Sequence, residues 1–151
     1  MYDLGCYCTT MILSMIDSEP ETVKADAEFS ELGVDMMTAG IIRFANGARA
    51  SFNVGMILGE NSNSRFDRLY IHGSTGCIRS DVEYNQAGEL KYNVFTNEGV
   101  TERKVSVPQN YSLEVEQLGR CILKGEKPFI TPEFSIRNCE LIDRVLKEIG
   151  Y

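Results

Sequence analysis

Residues 37–58 read MTAGIIRFANGARASFNVGMIL, and this stretch decides the predicted fold. Its two apolar-rich runs, residues 37–44 and 49–58, flank the pair Asn46-Gly47. Both residues of that pair tolerate positive φ, so the pair typically forms a tight hairpin turn. In the second run apolar residues alternate with polar ones, as on a half-buried strand: Ala50, Phe52, Val54 and Met56. The stretch therefore predicts two antiparallel strands.

More strands are predicted around this hairpin, and helices at both ends of the chain. The strands lie at residues 22–29, 66–72, 77–80, 82–84, 90–96 and 103–107, joined mostly by short turns. Helical spacing predicts helices over residues 3–16 and 112–124, and Thr131-Pro132-Glu133 predicts the start of a last helix that ends at Gly150. Because tight connections favour antiparallel neighbours, we expect an α+β fold. It would have one large, mostly antiparallel open sheet with about three helices packed on one face.

Length, charge and cysteine content limit the function classes. At 151 residues the chain fits one domain, residues 1–151. Its net charge of −7 argues against nucleic acid or an anionic membrane as a partner. No apolar run approaches the roughly 18 residues that a membrane span needs. The five cysteines are odd in number and irregularly spaced, which predicts reduced thiols in the cytoplasm and no metal site.

The segment Asp3-Leu4-Gly5-Cys6-Tyr7-Cys8 resembles a known family. It is similar to the D-x-G-x-H/Y helix of the substrate domain in the glucose–fructose oxidoreductase / inositol dehydrogenase (Gfo/Idh/MocA) family. With Tyr at the last position and Cys beside it, it looks like the subgroup of dimeric dihydrodiol dehydrogenases and NADP-dependent pyranose dehydrogenases. Further segments resemble the family in order and spacing, although Met36 replaces the second acid of its "VDD": residues 33–35, 44–52, 71–78, 111–125 and 128–144. The resemblance spans essentially the whole chain.

The resemblance implies that the chain is one domain of a two-domain enzyme. Such a chain would be the C-terminal, substrate-side domain of a dehydrogenase that transfers hydride between NADP or NAD and a sugar, polyol or related hydroxy compound. The family binds its cofactor on a Gly-rich strand–turn–helix, but the thirteen glycines here include no G-x-G-x-x-G. The chain also begins in a predicted helix without a lead-in. We therefore expect that it was cut from a longer protein, that the dinucleotide-binding domain is missing, and that the fragment alone is inactive.

The tripeptide Glu126-Lys127-Pro128 matches the family's catalytic E-K-P in letters. In the family that motif follows a strand of the nucleotide domain, whereas here it follows a predicted helix and its Gly125 stop. We therefore predict that Lys127 lies in a polar connector. The catalytic lysine should lie upstream of this chain.

The candidate catalytic residues are Tyr7 and Asp3. By the resemblance Tyr7 is the general acid/base, and a lysine cation would lower its pKa from the free value of about 10 by favouring the phenolate. Asp3 precedes Tyr7 by four residues, so one helix would place both on one face. It would bind a substrate hydroxyl or orient Tyr7, while Gly5 would allow close approach of the cofactor, the substrate or neighbouring backbone. The alternative is an ordinary half-buried tyrosine and a first-turn acid.

Weaker candidates for substrate-binding residues lie in a polar loop and next to a hairpin turn. Asn61, Asn63 and Arg65 have the side chains to bind sugar hydroxyls, although a loop of that composition is more often solvated. The lone histidine, His72, is more often structural. A homodimer through the sheet is implied by the resemblance, with the alternating residues of 49–58 as its surface. The alternative function is a non-catalytic sugar-binding or dimerisation module of the same fold.

Overall fold

The computed structural model describes residues 1–56, 67–81 and 87–151. The chain divides into two compact units, Met1–Glu60 with Ile130–Tyr151, and Asn61–Phe129. The first unit contains α1 (Gly5–Met15), β1 (Pro20–Phe29), β2 (Asp35–Phe44), β3 (Arg49–Gly55) and α3 (Pro132–Glu148). The second contains β4 (Leu69–His72), β5 (Gly76–Ser80), β6 (Gly88–Thr96), β7 (Gly99–Val107) and α2 (Asn110–Lys124).

The first unit packs two helices on a three-stranded antiparallel sheet, sheet A, in the order β1-β2-β3. The predicted hairpin joins β2 to β3. Its turn uses a left-handed residue at Gly47 alone (φ +86°), while Asn46 keeps a negative φ and accepts the Ala48 N–H on its side-chain oxygen at 3.0 Å. The hairpin is therefore a longer loop than the two-residue turn that the pair predicts.

The core of the first unit lies between sheet A and its helices. Val23, Ile42, Phe44 and Phe52 come from the strands, Leu13 from α1, and Leu141, Ile142, Val145 and Leu146 from α3, with Met1 beside them. Ala50 and Val54 pack against the same core. The alternating residues of β3 therefore face the helices. This corrects the prediction that they form a surface for a partner, since the alternation marks a core face and not a free one.

The free face of sheet A is polar and small. It carries Lys24, Asp26, Ile41, Ser51 and Asn53, which line a shallow, open depression. The Lys24 ammonium reaches round to the Glu148 carboxylate of α3 at 2.6 Å. Lys24, Ile41 and Ser51 stand side by side in the strand register. We call these five residues the outer face.

The second unit contains a four-stranded antiparallel sheet, sheet B, in the order β4-β5-β6-β7. Two cross-strand ion pairs, Lys91–Glu102 at 3.1 Å and Lys104–Glu89 at 2.9 Å, link β6 to β7. Helix α2 ends at Gly125 (φ +67°), whose N–H donates to Cys121 O. The apolar stripe of α2 is exposed, with 71, 61 and 72% exposure at Val115, Leu118 and Ile122.

The α+β class is confirmed, with all described strand pairs antiparallel. Two details differ from the prediction. The described strands form two sheets where one large sheet was expected, and the connection between β3 and β4 falls in residues 57–66, outside the described ranges. Among the described residues, α1 and α3 pack on sheet A over the buried core. The predicted strand at 82–84 also lies outside the described residues.

Candidate active site

The start of α1 carries the two predicted catalytic residues. The helix begins at Gly5, and Asp3 lies in the turn before it, so the predicted helix from residue 3 starts two residues later than expected. Tyr7 lies in the first helical turn, where its N–H donates to Leu4 O at 3.3 Å. Asp3 and Tyr7 are therefore close in the chain on one turn-to-helix junction, but they are not two residues of one helical face.

The side chain of Tyr7 is open to solvent. It is 55% exposed, and Asp3 is exposed as well. Such exposure is compatible with the predicted acid/base role and with an ordinary half-buried tyrosine, so both readings stay predictions. The arrangement leaves the phenol free to meet a molecule bound at the start of α1.

Gly5 has a packing role within the chain. It is buried, and a Cβ at this position would lie 2.5 Å from Met1 Sδ and 2.6 Å from Met1 Cε. The absent side chain therefore makes room for Met1, which is part of the core. The predicted cofactor contact at Gly5 stays a prediction.

Cys6 closes the turn that carries Asp3. Its N–H donates to Met1 O at 3.1 Å, and its thiol donates to Asp3 O at 3.4 Å. Burial raises the pKa of the Cys6 thiol, a backbone hydrogen bond at Tyr7 opposes that rise, and the negative charge of Asp3 adds to it by a smaller amount. The thiol therefore stays protonated near neutral pH, as a hydrogen-bond donor.

The other predicted candidates do not join this junction. Asn61, Asn63 and Arg65 lie outside the described residues. His72 is exposed at the end of β4, opposite Cys77 in the register. Lys127 lies in the irregular connector between α2 and α3, as expected from its position after Gly125.

Sequence reasoning missed two polar groupings. One is Asp35 at the start of β2, which accepts hydrogen bonds from the Met1 nitrogen and from Thr38. The other joins Arg68 and Arg79 to the Asp81 carboxylate at 3.5 and 3.1 Å, with the Arg79 guanidinium 5.8 Å from the Tyr70 ring centroid. The hydrogen bond from Arg79 to Asp81 raises the pKa of the arginine. The contacts of Asp35 with Met1 and of Arg68 with Asp81 join residues far apart in the sequence, so no local pattern predicts them, although Asp35 lies in the segment 33–35 that resembles the family.

The residues that the structure describes do not form a complete dinucleotide site. Such a site needs a parallel strand that runs through a Gly-rich turn into a helix. Every strand pair in the described ranges is antiparallel, and the Gly73–Gly76 turn joins two strands. Within these ranges no three His, Cys, Asp or Glu residues gather as metal ligands, and no helix is long and apolar enough to cross a membrane. The junction carries two exposed side chains four residues apart in the sequence, the phenol of Tyr7 and the carboxylate of Asp3.

A family model described as the GFO/IDH/MocA C-terminal domain matches residues 1–79, more than half of the chain. That match includes the Asp3–Tyr7 junction and the whole of sheet A. No curated protein matches the chain in sequence.

Solved structures match the fold over nearly all of the chain. A 3-ketoreductase from Actinomadura kijaniata in complex with NADP and TDP-benzene has a TM-score of 0.85 at 17% identity, over 97% of this chain and 45% of its own. A UDP-N-acetylglucosamine 3-dehydrogenase from Acidithiobacillus ferrooxidans has a TM-score of 0.79 at 14% identity, and the match covers 95% of this chain and 45% of that protein. An aldose–aldose oxidoreductase from Caulobacter crescentus, complexed with glycerol, has a TM-score of 0.78 at 18% identity, and the match covers 97% of this chain and 44% of that protein. The chain thus spans less than half the length of each structure.

Proposed function

The chain belongs to the GFO/IDH/MocA family, and on that premise we propose that it is the substrate-side, C-terminal domain of an NAD(P)-dependent dehydrogenase. The proposed reaction transfers hydride between NADP or NAD and a sugar, polyol or related hydroxy compound. The fold match to a 3-ketoreductase, a 3-dehydrogenase and an aldose oxidoreductase supports this class of substrate. The observation that carries the proposal is the exposed phenol of Tyr7 on the turn-to-helix junction.

Tyr7 is the proposed acid/base. When the alcohol is oxidised, the substrate O–H bond breaks and the proton passes to the Tyr7 oxygen, while hydride leaves the adjacent carbon. In the reverse direction the Tyr7 hydroxyl donates that proton to the carbonyl oxygen. When bound, the nicotinamide supplies the hydride acceptor or donor. An exposed phenol suits this role because the base must come within hydrogen-bond reach of the substrate oxygen.

Asp3 is the proposed substrate partner of Tyr7. Its carboxylate is acceptor-only when ionised, so it suits a sugar hydroxyl that must donate. Its place in the turn before α1, one helical turn ahead of Tyr7, supports a shared ligand. Asn61, Asn63 and Arg65 are proposed to add hydrogen bonds to other hydroxyls, and Gly5 to border the cofactor.

The cofactor would be bound mostly by a separate dinucleotide-binding domain. The antiparallel architecture of the described residues and the length of the structural relatives support this division. The gene upstream of the Met1 codon should then encode a strand–G-x-G-x-x-G–helix unit. All five cysteines are free thiols, which supports a reducing compartment, the cytoplasm.

A homodimer is also part of the proposal. The outer face of sheet A is the proposed contact surface, since the opposite face is occupied by helices and core. Its exposed Ile41 lies between small and polar neighbours, a composition that suits a flat contact with a second copy.

Substitution of Tyr7 by Phe in the full-length protein tests the function. We expect NADPH or NADH formation with a panel of aldoses and polyols to fall at least about a hundredfold, because positioned acid/base groups contribute about 10²–10⁴-fold. Sugar binding should persist. The matched control is Tyr2→Phe, since Tyr2 is exposed near the same junction.

Two results would contradict the proposal. Equal turnover by wild type and Tyr7→Phe would remove Tyr7 from the chemistry. Sugar binding by a wild-type protein that turns over no member of the panel would favour the non-catalytic sugar-binding module.

A further inference from the structure

Asn138 makes a polar contact between α1 and α3, the two helices that pack together in the first unit. Its Nδ2 atom donates to the Thr10 hydroxyl at 3.0 Å and joins residues that are 128 positions apart in the sequence. The other end of the amide is not satisfied, because Oδ1 is shielded from solvent and has no hydrogen-bond partner among the described residues. Asn138 therefore brings one hydrogen bond and one unpaired buried acceptor to the helix contact.

The amide of Asn138 is not the choice that gives this contact the greatest stability. An unpaired buried acceptor costs at least as much as a typical hydrogen bond returns, so an apolar side chain of similar size would pack the helices equally well. In coiled coils a single buried asparagine is kept at such a cost because it fixes the register of the helices. The same balance at Asn138 indicates a role in the register of α1 on α3.

The apolar contacts of α1 do not fix its register to the same degree. They are made by Cys6, Cys8, Ile12, Leu13 and Ile16. Such contacts are non-directional, so they let a helix slide or turn slightly on its neighbours. The hydroxyls of Thr9 and Ser14 donate to carbonyls of α1 itself and move with the helix. The bond between Thr10 and Asn138, by contrast, has a defined length and direction and ends on another element.

Thr10 lies one turn after the proposed acid/base. Because Tyr7 and Thr10 are three residues apart in α1, a movement of the helix at Thr10 carries the Tyr7 phenol with it. We propose that Asn138 is a positioning residue, which sets the register of α1 on α3 through Thr10 and thereby the place of the Tyr7 phenol. The catalytic consequence rests on the proposed function, whereas the register is a property of the first unit alone.

The first test measures the orientation of α1 in the 151-residue chain. Residual dipolar couplings of the Gly5–Met15 amides are compared with those of sheet A, which provides the reference frame. In Asn138→Leu we expect the α1 couplings to change while those of sheet A stay as in wild type. The urea midpoint should stay the same or rise, because the unpaired acceptor is removed and the Thr10 hydroxyl can bond within α1, as that of Thr9 does.

Substitutions at Thr10 check that Asn138 acts through this hydroxyl. Thr10→Val keeps the shape of the side chain without the acceptor and should change the α1 couplings as Asn138→Leu does. Thr10→Ser keeps the hydroxyl and should retain the wild-type couplings. The double variant Thr10→Val/Asn138→Leu should differ no more than either single variant, because both remove the same bond. Ser14→Ala is the matched control, since that hydroxyl donates to Thr10 O within the helix.

The second test follows turnover by the full-length protein. Asn138→Leu should lower kcat about tenfold or more with little change in KM, since a misplacement of about 1 Å costs on the order of a hundredfold in rate. In a Tyr7→Phe background the same substitution should slow turnover no further, because residues that act as a unit are not additive. Ser14→Ala should keep the wild-type kcat.

The outcomes separate this inference from the proposed function. Unchanged α1 couplings in folded Asn138→Leu and Thr10→Val would overturn it. A lower urea midpoint in Asn138→Leu would also overturn it, because Asn138 would then be an ordinary stabilising residue. Changed couplings with an unaltered kcat would overturn the positioning of Tyr7. Full turnover by Tyr7→Phe would instead remove the proposed acid/base, and the couplings would still decide whether Asn138 sets the register.

Discussion

Two helical glycines illustrate how surroundings decide a residue's role. A Cβ on Gly5 would meet the Met1 sulfur at 2.5 Å, whereas a Cβ on Gly119 in α2 would meet nothing within 4 Å. Gly119 lies inside α2, where Gly is less favourable than Ala by roughly 1 kcal/mol, and Gly5 is the first residue of α1, where part of that cost applies. At Gly5 this cost is offset by the burial of Met1. The sequence shows the cost at both positions, and only the fold shows the benefit at one.

Alanine at these two positions should therefore have opposite effects. We expect Gly119→Ala to stabilise the protein by up to about 1 kcal/mol through helix propensity. Gly5→Ala should destabilise it by about 1 kcal/mol, because expelling Met1 costs roughly 1.5–3 kcal/mol of burial and the helix regains part of that. Urea unfolding followed by circular dichroism gives both values. Stabilisation by Gly5→Ala would mean that Met1 moves aside at no cost.

At the scale of elements, α3 secures the path between α1 and β1. Arg144 donates to Pro20 O at 2.6 Å and to Glu21 O at 3.0 Å, while Arg137 binds Ser18 O and pairs with Glu19 at 3.2 Å. The helix itself begins as the sequence predicts, with Thr131 accepting the Phe134 N–H at 3.2 Å and Pro132 in the first turn. Local chemistry thus predicts where α3 starts. The carbonyls that its arginines bind are more than 100 residues away in sequence and follow from no local pattern.

Replacement of Arg144 tests this long-range anchor. Arg144→Ala should lower the free energy of unfolding by about 1–3 kcal/mol, since two main-chain acceptors lose a charged donor. Arg144→Lys should recover less than half of the loss, because an ammonium group lacks the planar fork that reaches two carbonyls. The exposed Glu140 on the same helix provides a control, whose alanine variant should stay within about 0.5 kcal/mol of wild type. If Arg144→Ala left the free energy of unfolding unchanged, water would hydrogen-bond the two carbonyls as well as Arg144 does.

For the whole molecule, the sequence predicts the class of fold better than the assignment of faces. The alternation of apolar and polar residues along β3 indicates that one face of the strand is apolar. It does not show whether that face packs in the core or against a partner. The structure turns Phe52 inward and leaves Ile41 on the outer face with 59% exposure. The candidate site followed a similar course: family resemblance points to Tyr7 and Asp3, whereas the packing of the Met1 side chain over Gly5 follows only from the fold.

The corrected faces change the expected dimer contact. If the outer face joins two copies, Ile41→Glu should place two charges in the contact and convert a dimer to a monomer in sedimentation equilibrium at high micromolar concentration. Leu123→Glu on α2 introduces the same charge at an 84% exposed position and should leave the dimer intact. A monomeric wild type at that concentration, or an unaffected Ile41→Glu dimer, would count against this surface.

The first unit is assembled from both ends of the chain, residues 1–60 and 130–151, with the second unit inserted between them. Four of its ten buried core residues belong to α3: Leu141, Ile142, Val145 and Leu146. On the ribosome, the turn with Asp3 and the three strands of sheet A therefore emerge long before the helix that completes their core. The first residues of this unit to be synthesised wait for its last ones. A ribosome stalled before residue 130 would hold a sheet with an open apolar face, so this unit completes its core only after α3 has emerged.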